Sequence, residues 1–212
     1  MEIREDYDEV DTWNAMTLVY KSALKEINTK LEILNEEFQH VHNYNPIEHI
    51  KSRIKTPESI VKKLKKYGKE STLENMVTYV NDIAGVRVIC SFQSDIYRIA
   101  NIIATQADIK IIEVKDYIES PKPSGYKSYH MLVTIPVYLT DKIVHTKVEI
   151  QIRTVAMDFW ASLEHKINYK FENVPEDIRN ELVNCAEIVS QLDERMLLLN
   201  EEVRNLEITS GN

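Results

Sequence analysis

The sequence predicts an α+β fold, a single domain over 1–212 in which a mixed sheet of about five strands is flanked by helices. Three observations lead there. Heptad-like apolar repeats occupy both ends of the 212-residue chain, short β-rich apolar runs occupy its middle, and a helix with its own start and stop signals precedes the first strand. With 43% hydrophobic residues the chain can build one sizeable core.

From Trp13 the apolar residues resume, after one gap, at Tyr20, Leu24, Ile27, Leu31, Leu34, Phe38 and Val41. Steps of four and three give a long amphipathic helix over 13–44, closed by Asn45-Pro46 because proline disfavours helix in the residue before it. Thr56-Pro57-Glu58 opens a second helix, with threonine at the N-cap and proline in the first turn; Ile60, Leu64 and Tyr67 form its buried side and Gly68 its stop. Strands follow at 86–92, 111–114, 130–138 and 147–154, with a helix at 95–105 between the first two and another at 155–171. The last helix, 176–207, carries Ile178, Leu182, Cys185, Val189, Leu192, Met196, Leu199, Val203 and Leu206 at a mean period of 3.5 residues, the spacing of coiled-coil packing. Both terminal helices are therefore candidate self-association elements, with packing inside the chain as the alternative. No internal repeat or low-complexity linker interrupts this order.

Composition removes several functional classes. The four glycines, Gly68, Gly85, Gly125 and Gly211, never cluster, so neither a dinucleotide fingerprint nor a Walker A loop is present. Cys90 and Cys185 sit in apolar patterns and read as reduced core residues. The six histidines offer no metal spacing, which argues against zinc. The acidic N-terminus lacks a signal-type apolar region and no run of 18 apolar residues occurs, giving the expectation of a soluble cytoplasmic protein without a membrane partner.

The net charge of −8 is unevenly distributed. Residues 1–50 carry −7, residues 51–69 carry +7, residues 70–170 carry −1 and residues 171–212 carry −7. A cationic island in an acidic chain calls for an anion, although a solvated lysine-rich helix face produces the same count.

Three segments could carry chemistry. In Lys147-Val-Glu149-Ile-Gln151-Ile-Arg153 the period of two sends Val148, Ile150 and Ile152 to the core and lines Lys147, Glu149, Gln151 and Arg153 along the other face. That row is either a polar ligand surface or a solvated strand face. Asp82-Ile-Ala-Gly85-Val-Arg87 places a carboxylate just before a buried strand; with Glu149 it could hold Mg²⁺, or Asp82 could simply cap the turn. Between Asp116 and His130, two prolines and Gly125 fix a loop in which tyrosines alternate with lysines, suited to a nucleobase with phosphates or to a rigid surface turn.

Taken together, Arg53-Ile-Lys55-Thr-Pro-Glu-Ser59-Ile-Val-Lys-Lys63, Asp82-Ile-Ala-Gly-Val-Arg87, Gly125-Tyr126-Lys127-Ser128-Tyr129-His130, Val148-Glu149-Ile-Gln151-Ile-Arg153-Thr154 and Phe159-Trp160-Ala161-Ser-Leu-Glu164-His165 resemble the synthetase domain of RelA/SpoT enzymes. They look most like the small single-domain alarmone synthetases of the RelP branch, in the right order over roughly residues 20–200.

The resemblance implies a nucleotidyltransferase-like fold and a pyrophosphokinase that moves the β,γ-pyrophosphate of ATP to the 3′-hydroxyl of GDP or GTP, making ppGpp or pppGpp and AMP. It further implies that Arg53 and Arg87 sandwich the adenine and that Lys55, Ser59 and Lys63 hold the ATP phosphates. Asp82 would bind Mg²⁺, and Glu149 would activate the hydroxyl and touch the metal. Tyr126 would stack on guanine, with Lys115, Lys122, Lys127 and His130 near the acceptor phosphates and Gln151, Arg153 and Asn168 shaping the guanosine side. Homotetramers and the absence of hydrolase activity belong to the same implication. Ser124, where the family often has Asn, and Tyr129, where a smaller aliphatic residue is common, leave the preference between GDP and GTP open. Two competing readings are a nucleic-acid-binding module on the basic helix at 57–67, opposed by the chain's acidity, and a coiled-coil scaffold in which the sheet is passive. RNA as a regulator is compatible with the enzyme.

Overall fold

A computed structural model of the chain describes residues 9–42, 44–170 and 175–210, with side chains over 13–42, 44–167 and 175–206. The order is α1 (Glu9–His40), β1 (Ile47–Ile54), α2 (Pro57–Lys66), α3 (Leu73–Tyr79), β2 (Ala84–Cys90), α4 (Gln93–Ala104), β3 (Lys110–Asp116), β4 (Tyr129–Tyr138), β5 (Ile143–Thr154), α5 (Val155–Lys170) and α6 (Glu176–Ser210). The five strands form one open mixed sheet in the order β1-β2-β5-β4-β3, in which β2 and β5 are parallel and the other neighbours antiparallel. The α+β expectation holds.

One face of the sheet is the core. Val86, Val88, Val133, Ile135, Val148, Ile150 and Ile152 meet Tyr20, Leu24, Ile27 and Leu31 of α1 and Ile96, Ile99 and Ile103 of α4 in one cluster. Each fully buried aliphatic side chain there contributes about 1.5–3 kcal/mol. The apolar seam of α1 is thus spent inside the chain. On α6, by contrast, Leu192, Met196, Leu199, Val203 and Leu206 of the heptad seam are exposed.

Four details depart from the sequence reading. The helix expected to reach residue 44 ends at His40. Tyr67, expected to be buried on α2, is exposed, while Ile60 and Leu64 are buried as expected and Gly68, at φ +66°, follows the C-cap. Strand β1 was not foreseen: Ile47, Ile50 and Ile54 are spaced like a helix because a bulge between Ile47 and His49 resets the alternation. Helix α3, with Thr72 as N-cap, spans seven residues and is too short to show a period. Both cysteines are free, and burial pushes the Cys90 thiol up. No helix among the described residues is long and apolar enough to cross a membrane.

Candidate active site

Register on the uncovered face of the sheet brings the polar rows together. One row across β1-β2-β5-β4-β3 reads Lys51, Arg87, Gln151, His130, Lys115; the next reads Arg53, Gly85, Glu149, Leu132, Glu113. Alternation guarantees that these side chains point away from the α1 core, since Val86, Val88, Ile150 and Ile152 point into it.

Asp82 ends the turn before β2 and receives two ammonium groups, Lys55 Nζ at 2.8 Å and Lys63 Nζ at 2.7 Å. Burial alone would raise its carboxyl; the two lysines outweigh that and hold it below the usual aspartate range. Lys63 is correspondingly raised, burial opposing and Asp82 prevailing. Asp82 is therefore an ion-pair centre rather than a simple turn cap.

Glu149 is largely buried. Burial would raise it, but His130 Nδ1 at 3.5 Å and Gln151 Nε2, donating at 2.7 Å, keep it below the usual glutamate range and hence ionised at neutral pH. It lines two cavities. One, of about 290 Å³, is walled by Arg53, Asp82, Gly85, Arg87 and Gln151; the other, of about 130 Å³, by Lys63, Tyr67, Tyr79, Lys115 and His130.

Arginines dominate one end. Arg87 Nη1 and Arg153 Nη1 donate to the same Asp158 Oδ1, at 2.9 and 3.2 Å. Burial and then Arg153 lower Arg87, so two guanidiniums share one carboxylate. Buried Arg153 also donates to Ser128 Oγ at 3.2 Å, to Gln151 Oε1 at 2.9 Å and to the Tyr126 hydroxyl. That hydroxyl is 2.9 Å from His130 Nε2. Lys122 Nζ and the Arg153 guanidinium lie over the Tyr126 ring, at 4.6 and 4.9 Å from its centroid. Burial, with Arg153 and Lys115 nearby, lowers Lys122. Cations crowded at such cost are a surface that an anion stabilises.

Asp82 and Glu149 also suit Mg²⁺. Both line one cavity, and the charge of Asp82 acts on Glu149. Mg²⁺ commonly takes one or two protein carboxylates and completes its shell with phosphate oxygens and water. Among the described residues no group of three or more His, Cys, Asp or Glu could hold a metal by itself, so such an ion would be shared with a ligand.

Of the residues expected at the site, Arg53, Lys55, Lys63, Asp82, Arg87, Lys115, Lys122, Tyr126, His130, Glu149, Gln151 and Arg153 lie on or around this face. Ser59 lies in the first turn of α2, one turn before Lys63, its backbone N–H donating to the Thr56 cap at 3.3 Å. Lys127 turns the other way, its Nζ 2.6 Å from Ser190 Oγ on α6. The side chain of Asn168 lies outside the described residues. Sequence reasoning missed Asp158, the bridge between the arginines, and Lys147 as a structural donor. Lys147 Nζ reaches the carbonyls of Val77 and Thr78 at 3.1 and 3.3 Å and Asn81 Oδ1 at 3.0 Å, closing α3 just ahead of Asp82.

The model of the region found in RelA/SpoT proteins matches residues 52–174. The chain is 51% identical over 195 residues to GTP pyrophosphokinase YwaC of Bacillus subtilis (strain 168), covering 92% of this chain and 93% of that protein. Small alarmone synthetase 1 from Bacillus subtilis bound to its product pppGpp matches with TM-score 0.84 at 35% identity, covering 91% of this chain and 98% of that one. The same protein bound to AMPCPP matches with TM-score 0.78 at 31% identity, covering 92% of this chain and 98% of that one. With a family match spanning over half its length and a relative so similar across nearly all of it, the chain belongs to the RelA/SpoT family.

Proposed function

We propose that this protein is a GTP/GDP pyrophosphokinase, making ppGpp or pppGpp and AMP as an alarmone synthetase of the stringent response. The observation that carries this reading is the position of Glu149, one ionised carboxylate shared by two cation-lined cavities. A relative bearing the name GTP pyrophosphokinase and neighbours holding pppGpp or AMPCPP support the assignment of two nucleotides to two cavities.

ATP takes the larger cavity, its adenine between Arg53 and Arg87 and its phosphates on Lys55, Ser59 and Lys63. Lys55 and Lys63 give up part of their hold on Asp82 to do so. The guanosine nucleotide lies against Tyr126, with Lys115, Lys122 and His130 toward its phosphates and Gln151 and Arg153 fixing the base side. Its 3′-oxygen attacks the β-phosphorus of ATP while the bond from that phosphorus to the α,β-bridging oxygen breaks. AMP leaves with that oxygen and the hydroxyl proton passes to Glu149. Mg²⁺, held by Asp82 and Glu149, would neutralise charge on the transferring group. Transfer of this kind rests on positioning and on cations, which this cleft supplies through side chains where a P-loop uses backbone amides. Self-association as a homotetramer through α6, in the cytoplasm, completes the proposal.

Purified protein with Mg²⁺, ATP and GDP or GTP should release AMP and form a 3′-pyrophosphorylated guanosine nucleotide. Glu149→Gln should lower turnover by about 10²–10⁴-fold while calorimetric nucleotide binding persists. Near-normal turnover in that variant would remove Glu149 as the base.

A further inference from the structure

Helix α6 does more than extend the domain: it grips the loop that carries Tyr126. Leu182, Ala186 and Ser190 recur every four residues on one side of α6, and Asp193 completes that side. The Leu182 carbonyl accepts from Trp160 Nε1 at 3.0 Å. Ala186 packs with Trp160 and Ala161, and Tyr126 rests against that cluster. Gly125 has φ +84°, and a Cβ built on it would fall 2.5 Å from the Ala186 Cβ, so loop and helix approach as closely as a glycine allows. Lys127 Nζ donates to Ser190 Oγ at 2.6 Å, and Thr154 Oγ1, at the end of β5, donates to buried Asp193 at 2.7 Å.

We infer that Lys127, Ser190 and Ala186 are positioning residues that set the height and tilt of Tyr126, making α6 a determinant of guanosine-nucleotide affinity rather than of ATP affinity. The inference rests on the function proposed above. The contacts of the two neighbours support it: the Tyr126 hydroxyl meets Arg153 and His130 at the cleft, whereas Lys127 Nζ reaches Ser190 on α6. A lysine that touched the acceptor phosphates would leave Ser190 without a role in binding. A lysine that pins the loop makes the two residues act as one unit.

The test is a double-mutant cycle read in two ways, steady-state KM for GDP and for ATP, and calorimetric Kd for GDP without ATP. Lys127→Met and Ser190→Ala should each raise the GDP KM and Kd about three- to tenfold, with the ATP KM within twofold. The double variant should be no worse than the worse single one, as expected for one shared interaction. Ser190→Thr, which keeps the hydroxyl, should restore most of the affinity. Ala186→Leu, which drives a side chain into Gly125, should exceed the single losses; if it fails to fold, the Lys127/Ser190 cycle decides alone. A silent Ser190→Ala beside a damaging Lys127→Met, additive losses in the double variant, or equal rises in both KM values would overturn the inference. If the unmutated protein bound no GDP, the function itself would fall, and the control separates that outcome from the others.

Discussion

Lys63 on α2 and Asp82 before β2 meet at 2.7 Å, joining the cationic island to the first strand of the site, and Lys55 approaches the other carboxylate oxygen at 2.8 Å. The three charges are mostly shielded from solvent and depend on one another. Removing one lysine leaves Asp82 with half its compensation, a change that costs about 1–3 kcal/mol at a partly buried site.

The direction of the Asp82 shift makes that cost pH-dependent. Its folded-state pKa lies below its unfolded value, so the stabilisation is complete above the ordinary aspartate pKa of about 3.9 and is lost as pH falls through the lower folded value. Lys63→Met should therefore lower the urea midpoint most at neutral pH, and the gap to the unmutated protein should narrow below about pH 4. A gap of constant size from pH 7 to pH 3 would mean that Lys63 contributes packing rather than charge.

Gly85 sits between Arg53 and Glu149 in the sheet row, and a Cβ added there meets nothing within 4 Å. Its lack of a side chain therefore serves the space above the strand and not the backbone. Gly85→Val should leave the melting temperature unchanged or slightly raised, because β-branched residues suit strands. The ATP KM should rise at least tenfold, a loss of about 1.4 kcal/mol. An unchanged ATP KM would place the nucleotide elsewhere.

Much of this face was legible in the sequence, for one reason: a period of two separates Glu149, Gln151 and Arg153 from Val148, Ile150 and Ile152 whatever the rest of the chain does. Asp82 was legible because it just precedes the apolar run of β2, and Arg87 because it interrupts that run. What was hidden depended on partners distant in sequence. Strand β1 carries Arg53 but shows helical spacing, and only its pairing with β2 makes it a strand. Asp158 joins Arg87 and Arg153 across 71 and five residues, a contact that no local pattern encodes. Lys127 belongs with these: it lies in the loop before β4, where no strand period applies, and its direction is set by Ser190, 63 residues away.

Lys147 shares the row of Glu149 yet serves the backbone. Its ammonium closes the C-terminal end of α3 with three acceptors, a favourable place for a cation because the helix dipole is negative there. Lys147→Met should destabilise the protein by about 1–3 kcal/mol, since two carbonyls lose a charged donor. Amide exchange should quicken over residues 77–82, and the ATP KM should rise with it because Asp82 hangs from that segment. Faster exchange without any change in KM would show that the turn holds Asp82 unaided.

The exposed stripe on α6 gives the remaining prediction. Leu192, Met196, Leu199, Val203 and Leu206 are each half or more exposed, at heptad steps that bring them to one side of the helix. An apolar stripe of that length is costly to leave in water and is self-complementary, so a second copy of the chain is the simplest cover. Sedimentation of the unmutated protein should give a multiple of the chain mass, and Leu192→Glu with Leu199→Glu should give a lighter species. The two glutamates fall outside the side of α6 that holds the Tyr126 loop, where Ala186 and Ser190 lie. The GDP Kd of the lighter species then separates two roles for one helix. An unchanged Kd means that the grip on the loop is complete within each chain, whereas a weakened one means that association also tightens it.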